Sequence, residues 1–359
     1  MKRILLIIKS LGSGGAERQI CGLAAMLTKA GYPCRLITFT ENQFYESFLR
    51  NNGVDYEFVP ELDSKMTRAF RVAKYMRRYR PDLVISYLTF VNKSMCLAKL
   101  LYKTKLIVSE RNNNIGITLL DRYVFNLYRF ADAIVPNSHC QGEYIRTNFP
   151  FLANKVHPII NFVDVNKFCP SKSPNQNEIP RIVTVARYTR QKNVLTYLKA
   201  VHIIKEMGLK VHFDWYGDKT IYPDYLAEVE KACKELCIED YLTLHDAEAH
   251  IEEVYSKADV FCLPSLFEGY PNVLIEAMSC GLPIICSNVC ENPVIVEDGV
   301  NGFLFDPIEQ SEIVMAVNKM LSLPEEERNR MGRRNRQICI ERNSEETFLK
   351  QYVELIEQL

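Results

Sequence analysis

The chain has 359 residues, with 44 lysines and arginines against 44 aspartates and glutamates. At about 150 residues per domain, this length suggests two domains, each large enough for its own core. A composition of 47% hydrophobic and 25% charged residues excludes disorder and fibrous repeats, and no run approaches the ~18 apolar residues of a membrane span.

The first apolar run, Ile4 to Ile8, is too short for a secretory signal and no small-residue cleavage site follows it. Arg3–Lys9 reads as a strand that turns at Gly12-Ser13-Gly14-Gly15 into a helix beginning near Ala16. Gly12-x-Gly14-x-x-Glu17 lacks the third glycine of a dinucleotide fingerprint, and no acidic residue closes the next strand. Two readings of the glycines stay open. They make a tight strand-to-helix turn, or they aim helix-end amides at a phosphate or sugar oxygen.

Further strands are predicted at Cys34–Phe39, Leu83–Ser86, Lys105–Val108 and Ala133–Pro136. Between the first two lies Lys65–Arg80, with seven basic and no acidic residues. On a helical projection Arg68, Arg71, Lys74, Arg77 and Arg78 share one half, while Met66, Ala69, Val72, Ala73 and Met76 fall mostly on the other. Either this is a solvated face, or it meets anionic headgroups or a lipid-linked pyrophosphate at about 1 kcal/mol per basic residue. It carries no recognisable nucleic-acid-binding motif.

Phe168–Pro180 is rich in proline, serine and asparagine and reads as a linker. The expected division is 1–168, a linker at 169–180, and 181–359. Residues 1–170 carry a net charge of +11 and residues 171–359 one of −11, so the first domain should face something anionic. The second half repeats the strand pattern at Arg181–Ala186, Val211–Tyr216, Leu242–Leu244, Val260–Leu263 and Pro283–Ser287. Short apolar strands separated by helices predict an α/β protein of two Rossmann-like, doubly wound domains. A ligand would lie in the cleft between them, outside the carboxyl ends of the strands. The last helical stretch, Glu345–Gln358, can pack on either domain.

Twelve cysteines are scattered through apolar runs such as Val260-Phe261-Cys262-Leu263, which reads as reduced, mostly buried thiols in a cytosolic protein. Cys233-x3-Cys237 and Cys286-x3-Cys290 lack the second pair or nearby histidine of a zinc site.

The most informative stretch runs from Pro264 to Pro283. A strand leads into a loop, and a helix starts near Asn272 and stops at Gly281. Glu268 lies at the helix entrance and Glu276 about one turn inside, with amides around Gly269, Tyr270, Asn272 and Val273 between them. A diphosphate fits on such a helix end, with flanking carboxylates accepting from hydroxyls. Arg187 and Lys192, five positions apart just past a strand end, supply the matching cations.

Phe267-Glu268-Gly-Tyr-Pro-Asn-Val-Leu-Ile-Glu276-Ala-Met-Ser-Cys-Gly-Leu-Pro resembles the E-x7-E signature of retaining glycosyltransferases of family 4, which have the GT-B fold. The resemblance covers nearly the whole chain. Gly14-Gly15-Ala-Glu-Arg18 is similar to the family's N-terminal loop, and Ile159-Ile-Asn-Phe-Val-Asp164 to its domain-closing segment, with Phe162 where glycine is usual. Val185-Ala-Arg187-Tyr-Thr-Arg-Gln-Lys192 resembles the phosphate clamp, with Ala186 replacing a glycine, and Asp298–Phe305 the turn after the donor site.

The resemblance implies roles. Arg187 and Lys192 would neutralise a nucleotide diphosphate without metal, in keeping with the absence of any D-x-D pair. Glu276 would accept from ribose hydroxyls, Glu268 from a hydroxyl of the transferred sugar, and the backbone around His245 and Asp246 would read a uracil edge. Where relatives carry a histidine near the sugar, this chain has Val108-Ser-Glu110-Arg111-Asn-Asn113, similar to members that build bacterial lipid-linked and surface glycans. Either Glu110 or Arg111 would take over that contact, or the two form a plain ion-paired strand end. The expectation is a retaining transferase of a hexose or N-acetylhexosamine from a UDP-sugar, with no other cofactor. Its acceptor would be a lipid-linked or surface-polysaccharide glycan, at the inner face of the cytoplasmic membrane. The alternatives are a GDP-sugar or soluble acceptor, or a catalytically silent scaffold of the same fold.

Overall fold

The computed structural model describes residues 1–114, 116–171 and 177–359. The chain forms two compact units: Met1–Phe162 with Glu345–Leu359, and Val163–Ser344.

Unit 1 is built on strands β1 (Ile4–Ile7), β2 (Cys34–Thr38), β3 (Asp55–Phe58), β4 (Leu83–Tyr87), β5 (Lys105–Glu110) and β6 (Ala133–Pro136). They form one parallel sheet in the order β3-β2-β1-β4-β5-β6. The helices are α1 (Gly15–Lys29), α2 (Glu46–Asn51), α3 (Arg68–Tyr79), α4 (Thr89–Leu101), α5 (Leu119–Leu127) and α6 (His139–Asn148). Successive residues of a strand point to opposite faces, and β1 shows why its run is apolar throughout. Ile4 and Leu6 pack with Ile20, Leu23 and Leu27 of α1, and Leu5 and Ile7 with Val72, Met76, Val91 and Met95 of α3 and α4. The final helix joins the first of these layers through Phe348 and Tyr352, and the Tyr352 hydroxyl lies 2.9 Å from that of Tyr87. That settles the open placement of Glu345–Gln358.

Unit 2 repeats the plan with β7 (Arg181–Val185), β8 (His212–Tyr216), β9 (Leu242–His245), β10 (Val260–Leu263), β11 (Ile284–Ser287) and β12 (Gly302–Phe305). Its parallel order is β12-β11-β10-β7-β8-β9, the same topology read from the other edge. Its helices are α7 (Val194–Glu206), α8 (Pro223–Glu235), α9 (Ile251–Lys257), α10 (Asn272–Ser279), α11 (Asn292–Ile295), α12 (Gln310–Ser322) and α13 (Glu325–Arg342), and α14 (Glu345–Gln358) returns to unit 1. α7, α8 and α12 cover one face around Trp215 and Phe213. In each unit strand order reverses beside the first strand, the position at which open α/β sheets bind ligands.

Two expectations change. The crossing from unit 1 falls at Phe162/Val163 rather than at 168, because Val163–Ser171 packs on unit 2. The Val163 amide donates to the Asn343 carbonyl, and the Phe168 carbonyl accepts from Ser279 Oγ and Arg336. The expected linker therefore starts inside unit 2, and its residues 172–176 lie outside the described residues. Edge strands β3 and β12 were not expected from the sequence. Eight of the twelve cysteines are buried. Among the described residues no helix is long and apolar enough to cross a membrane.

Candidate active site

In unit 2 the loops after β7, β8, β9 and β10 carry the residues singled out in the sequence. Beyond β7 the Ala186 amide donates to the Tyr216 carbonyl at 2.9 Å, and the Ala186 carbonyl accepts from the Trp215 indole at 2.8 Å. A Cβ on Gly217 would stand 2.3 Å from that carbonyl oxygen, so only glycine passes there. Arg187 follows, exposed to solvent. The 3-10 turn Arg190–Lys192 then closes on Asn193, whose φ of +61° is a left-handed conformation that asparagine tolerates. Its side-chain amide donates to the Pro307 carbonyl at 2.7 Å and holds the reversal.

This reversal turns Lys192 inward, where its ammonium pairs with the Glu268 carboxylate; the two side chains are only 11% and 8% exposed. Leu266 N–H to the Gln191 carbonyl (2.8 Å) and Gln191 Nε2 to the Phe267 carbonyl (2.9 Å) lace the same loops together. The loops leave adjacent strands β7 and β10, at the point where strand order reverses.

α10 opens behind Pro271, and its hydrogen-bond ladder begins with Leu274 N–H to the Pro271 carbonyl at 3.2 Å. The amides of Asn272 and Val273 precede that ladder at the positive end of the helix, beside half-buried Gly269. Glu276, one turn in, is buried and accepts from the Tyr255 hydroxyl at 3.2 Å. Tyr270 is buried with its hydroxyl accepting from Asn343 Nδ2 at 2.8 Å, and burial pushes its phenol pKa up. Gly281 ends α10 at φ +78°, with the Leu282 amide donating back to the Ala277 carbonyl.

The His245 side chain is held by its neighbours in unit 2. Its Nε2 lies 2.8 Å from Asp214 Oδ1, its ring stacks on Tyr216 at 4.2 Å, and its carbonyl accepts from the Tyr188 hydroxyl at 2.7 Å. Burial works to raise the Asp214 pKa, but hydrogen bonds from Arg181 and His245 outweigh it and hold the carboxyl below its usual range. Asp246 shapes the loop, with its carboxylate accepting from the Lys219 and Ala247 amides.

In unit 1 the exposed Gly14 and Gly15 open α1 at the carboxyl end of β1. The Gln19 side chain then pairs with both main-chain groups of Phe162, accepting from its amide at 3.0 Å and donating to its carbonyl at 2.9 Å. A Cβ on Gly22 would stand 2.1 Å from the Phe162 ring, so a bare position on α1 accommodates the phenylalanine that replaces the family's glycine.

Glu110 is held inside unit 1. Its buried carboxylate accepts from Thr89 Oγ1 at 2.9 Å, Asn92 Nδ2 at 3.0 Å and the Tyr128 hydroxyl, and burial raises its pKa. Arg111 is the residue at this strand end with donor capacity remaining. Its guanidinium lies 4.7 Å from the Tyr87 ring centre and donates to Asn161 and Ser109, while its buried Nε has no partner among the described residues. Arg68 leaves the basic face for a similar reason: its guanidinium is buried and donates to the Leu62 (2.7 Å) and Asp63 (3.0 Å) carbonyls. Arg71, Lys74, Arg77 and Arg78 remain exposed.

The family model for glycosyl transferases group 1 matches residues 167–338, and that for glycosyltransferase family 4 matches residues 13–167. The chain belongs to the family 4 glycosyltransferases. A Campylobacter jejuni α-1,4-N-acetyl-D-galactosaminyltransferase, named for a diphospho-undecaprenol-linked glycan, is 28% identical over 293 residues, covering 77% of each chain. The amylovoran biosynthesis glycosyltransferase AmsD of Erwinia amylovora is 23% identical over 335 residues, covering 90% of this chain and 91% of the relative. Among solved structures, Anabaena HepE in complex with UDP and glucose superposes with a TM-score of 0.87 at 20% identity, covering all of both chains. The fold of this glycosyltransferase is GT-B. Both carboxylates of its E-x7-E segment are buried at the mouth of α10. Tyr255, Asn193 and Gly217, which hold loops and a carboxylate of unit 2, and Gln19, which holds Phe162 in unit 1, carried no spacing signal by which a sequence search finds them.

Proposed function

We propose that this glycosyltransferase moves a hexose or N-acetylhexosamine from a UDP-sugar to a lipid-linked or surface-polysaccharide glycan, with retention of anomeric configuration and without metal. The observation that carries the reading is the convergence in unit 2 of Lys192, Glu268, Glu276 and the α10 N-terminus, with Arg187 exposed on the loop that also carries Lys192. A diphosphate on the α10 amides would draw Lys192 from Glu268 and recruit Arg187, which places three sources of positive potential where charge develops as the bond to the leaving group breaks. Glu268, released from the ammonium, then accepts from a sugar hydroxyl, and Glu276 accepts from the ribose. The acceptor oxygen bonds to the anomeric carbon on the face from which the phosphate departs. The acceptor's proton passes to a leaving-phosphate oxygen, so no enzymic nucleophile takes part.

HepE, solved with UDP and glucose, supports the donor class, and the C. jejuni transferase supports the acceptor class. The basic face of α3 is consistent with work at the anionic inner face of the cytoplasmic membrane. Thermal melting with UDP, GDP and ADP, without added metal, tests the reading in wild type, Arg187→Ala and Glu276→Ala. UDP-selective stabilisation lost in both variants is the expected result. Selectivity for GDP moves the donor class and keeps the fold and site. No shift with any nucleotide overturns the enzymic reading in favour of a silent scaffold.

A further inference from the structure

α3, α4 and α5 lie side by side on one face of the unit 1 sheet, their inner sides buried in one core through Val72, Val91 and Val124. Each begins at the carboxyl end of the strands, because each crossover starts there. Their first turns have an unusual feature in common. Met66 just before α3, Phe70 on α3, Phe90 on α4, and Leu119, Leu120 and Tyr123 on α5 all face solvent; Leu119 is 87% exposed and Leu120 61%. The Arg68 guanidinium lies 5.8 Å from the Phe90 ring centre, which joins the α3 and α4 parts.

The start of α5 is held out rather than frayed. Thr118 and Asp121 form a reciprocal capping box, so the leucines sit on a formed turn. At the other end Tyr128 is anchored to Glu110 and Asn92. Leu119 thus stands nine residues of helical backbone ahead of its anchor, about 13 Å. Around these apolar tips stand Lys65, Arg71, Lys74 and Arg122, all exposed. Of the nearby acids, Asp121 is used in the cap, Asp63 lies 3.7 Å from Arg68, and Glu61 is exposed with its carbonyl accepting from Arg71.

We propose that the first turns of α3, α4 and α5 form a wedge that enters the headgroup region of an anionic bilayer, with Leu119 and Leu120 deepest and the cations on lipid phosphates. The inference rests on the proposed work at a membrane and adds the mode of attachment. Apolar tips bounded by lysine and arginine match a surface whose charge is negative and whose interior is apolar. A second copy of the same patch would set two basic rims against each other, and the proposal commits to lipid.

The chain has a single tryptophan, Trp215, fully buried in unit 2, so a tryptophan placed at residue 119 reports alone on insertion. Wild type, Leu119→Trp and Leu119→Ser/Leu120→Ser are mixed with phosphatidylcholine vesicles containing about 30% phosphatidylglycerol, in about 0.15 M and about 1 M salt. Expected are co-flotation that survives in part at high salt, a blue shift of Leu119→Trp emission quenched by brominated lipid, and a fall of about tenfold or more in partitioning for the double serine variant. An unshifted Leu119→Trp emission, or serine-variant binding equal to wild type, overturns the wedge. Vesicle-independent dimerisation abolished by the serines reassigns the patch to a second copy and also overturns it. UDP-induced stabilisation, measured on the same samples, reads the donor site separately. If UDP stabilises the protein and the wedge tests fail, only the wedge is lost; if the wedge tests succeed without UDP stabilisation, the donor reading is lost.

Discussion

Replacing Lys192 by methionine removes the cation from a pair whose side chains are 11% and 8% exposed. Both charges have left water, so the attraction between them offsets a desolvation cost of several kcal/mol per ion. Removing one partner of such a pair costs about 3–5 kcal/mol. Glu268 keeps other contacts, which sets the expectation for Lys192→Met at the lower end, about 3 kcal/mol. At roughly 2–4 °C per kcal/mol for a unit of this size, melting should fall by about 6–12 °C. The double variant Lys192→Met/Glu268→Gln leaves no buried charge and should recover about 2 kcal/mol of the summed single losses. Urea unfolding of wild type, both singles and the double measures that coupling directly. The double should nevertheless bind UDP more weakly than wild type, since neutralising the pair removes one of the two cations proposed for the diphosphate. Singles that each cost less than about 0.5 kcal/mol and simply add would refute the premise that the pair is desolvated and coupled.

Glu110→Gln should keep the fold, because a glutamine oxygen can accept from Asn92 and Tyr128 while its amide donates to Thr89. Burial raises the Glu110 pKa above its ordinary value of about 4.5, so between the two values the folded state binds more protons than the unfolded. Wild-type stability should therefore be greatest on the acid side of that window and fall as pH rises through it, with Glu110→Gln lacking this component. A wild-type-minus-variant difference independent of pH from about 4.5 to neutrality contradicts this. Glu110→Ala, which strands three donors, should cost about 3 kcal/mol or more by urea unfolding. Gly22→Ala places a methyl against the Phe162 ring and should cost about 1–3 kcal/mol, a loss partly relieved in Gly22→Ala/Phe162→Leu; strict additivity would argue against the contact.

Legibility in the sequence followed burial. Strands covered on both faces, such as Ile4–Ile7 and Val260–Leu263, appear as unbroken apolar runs and were placed within a residue or two. The missed strands β3 and β12 are edges, Asp55-Tyr-Glu-Phe58 and Gly302-Phe-Leu-Phe305, where polar residues or glycine interrupt the run. β12 has its glycine because a Cβ there would stand 2.5 Å from the Ile284 carbonyl oxygen. The E-x7-E segment is legible because a strand, a loop and a helix end arrive in fixed order within one short stretch, and Lys192 because it follows another strand end with Arg187. Their pairing was not: Lys192 and Glu268 are 76 residues apart and meet only because β7 and β10 are neighbours.

Charge at a surface-like position was the signal most often misread, and for one physical reason. A helical projection assigns Arg68 to the outer half of α3, yet carbonyls of the preceding turn, Leu62 and Asp63, offer its guanidinium better partners than water does. A strand-end Glu-Arg pair looks like a site, yet Thr89, Asn92 and Tyr128 arrive from α4 and the turn after α5 to consume the carboxylate. In both cases the deciding groups lie on another element, and a single-element pattern has no access to them. Leu119 and Leu120 show the reverse case. An apolar pair in the first turn of a helix reads as core in a projection, and only the packed unit reveals that it stays exposed among the described residues. Residues that depart from their local pattern, inward charges and outward leucines alike, are thus where tertiary structure adds most. Of the two, the outward leucines carry the membrane proposal, because they stay exposed among the described residues.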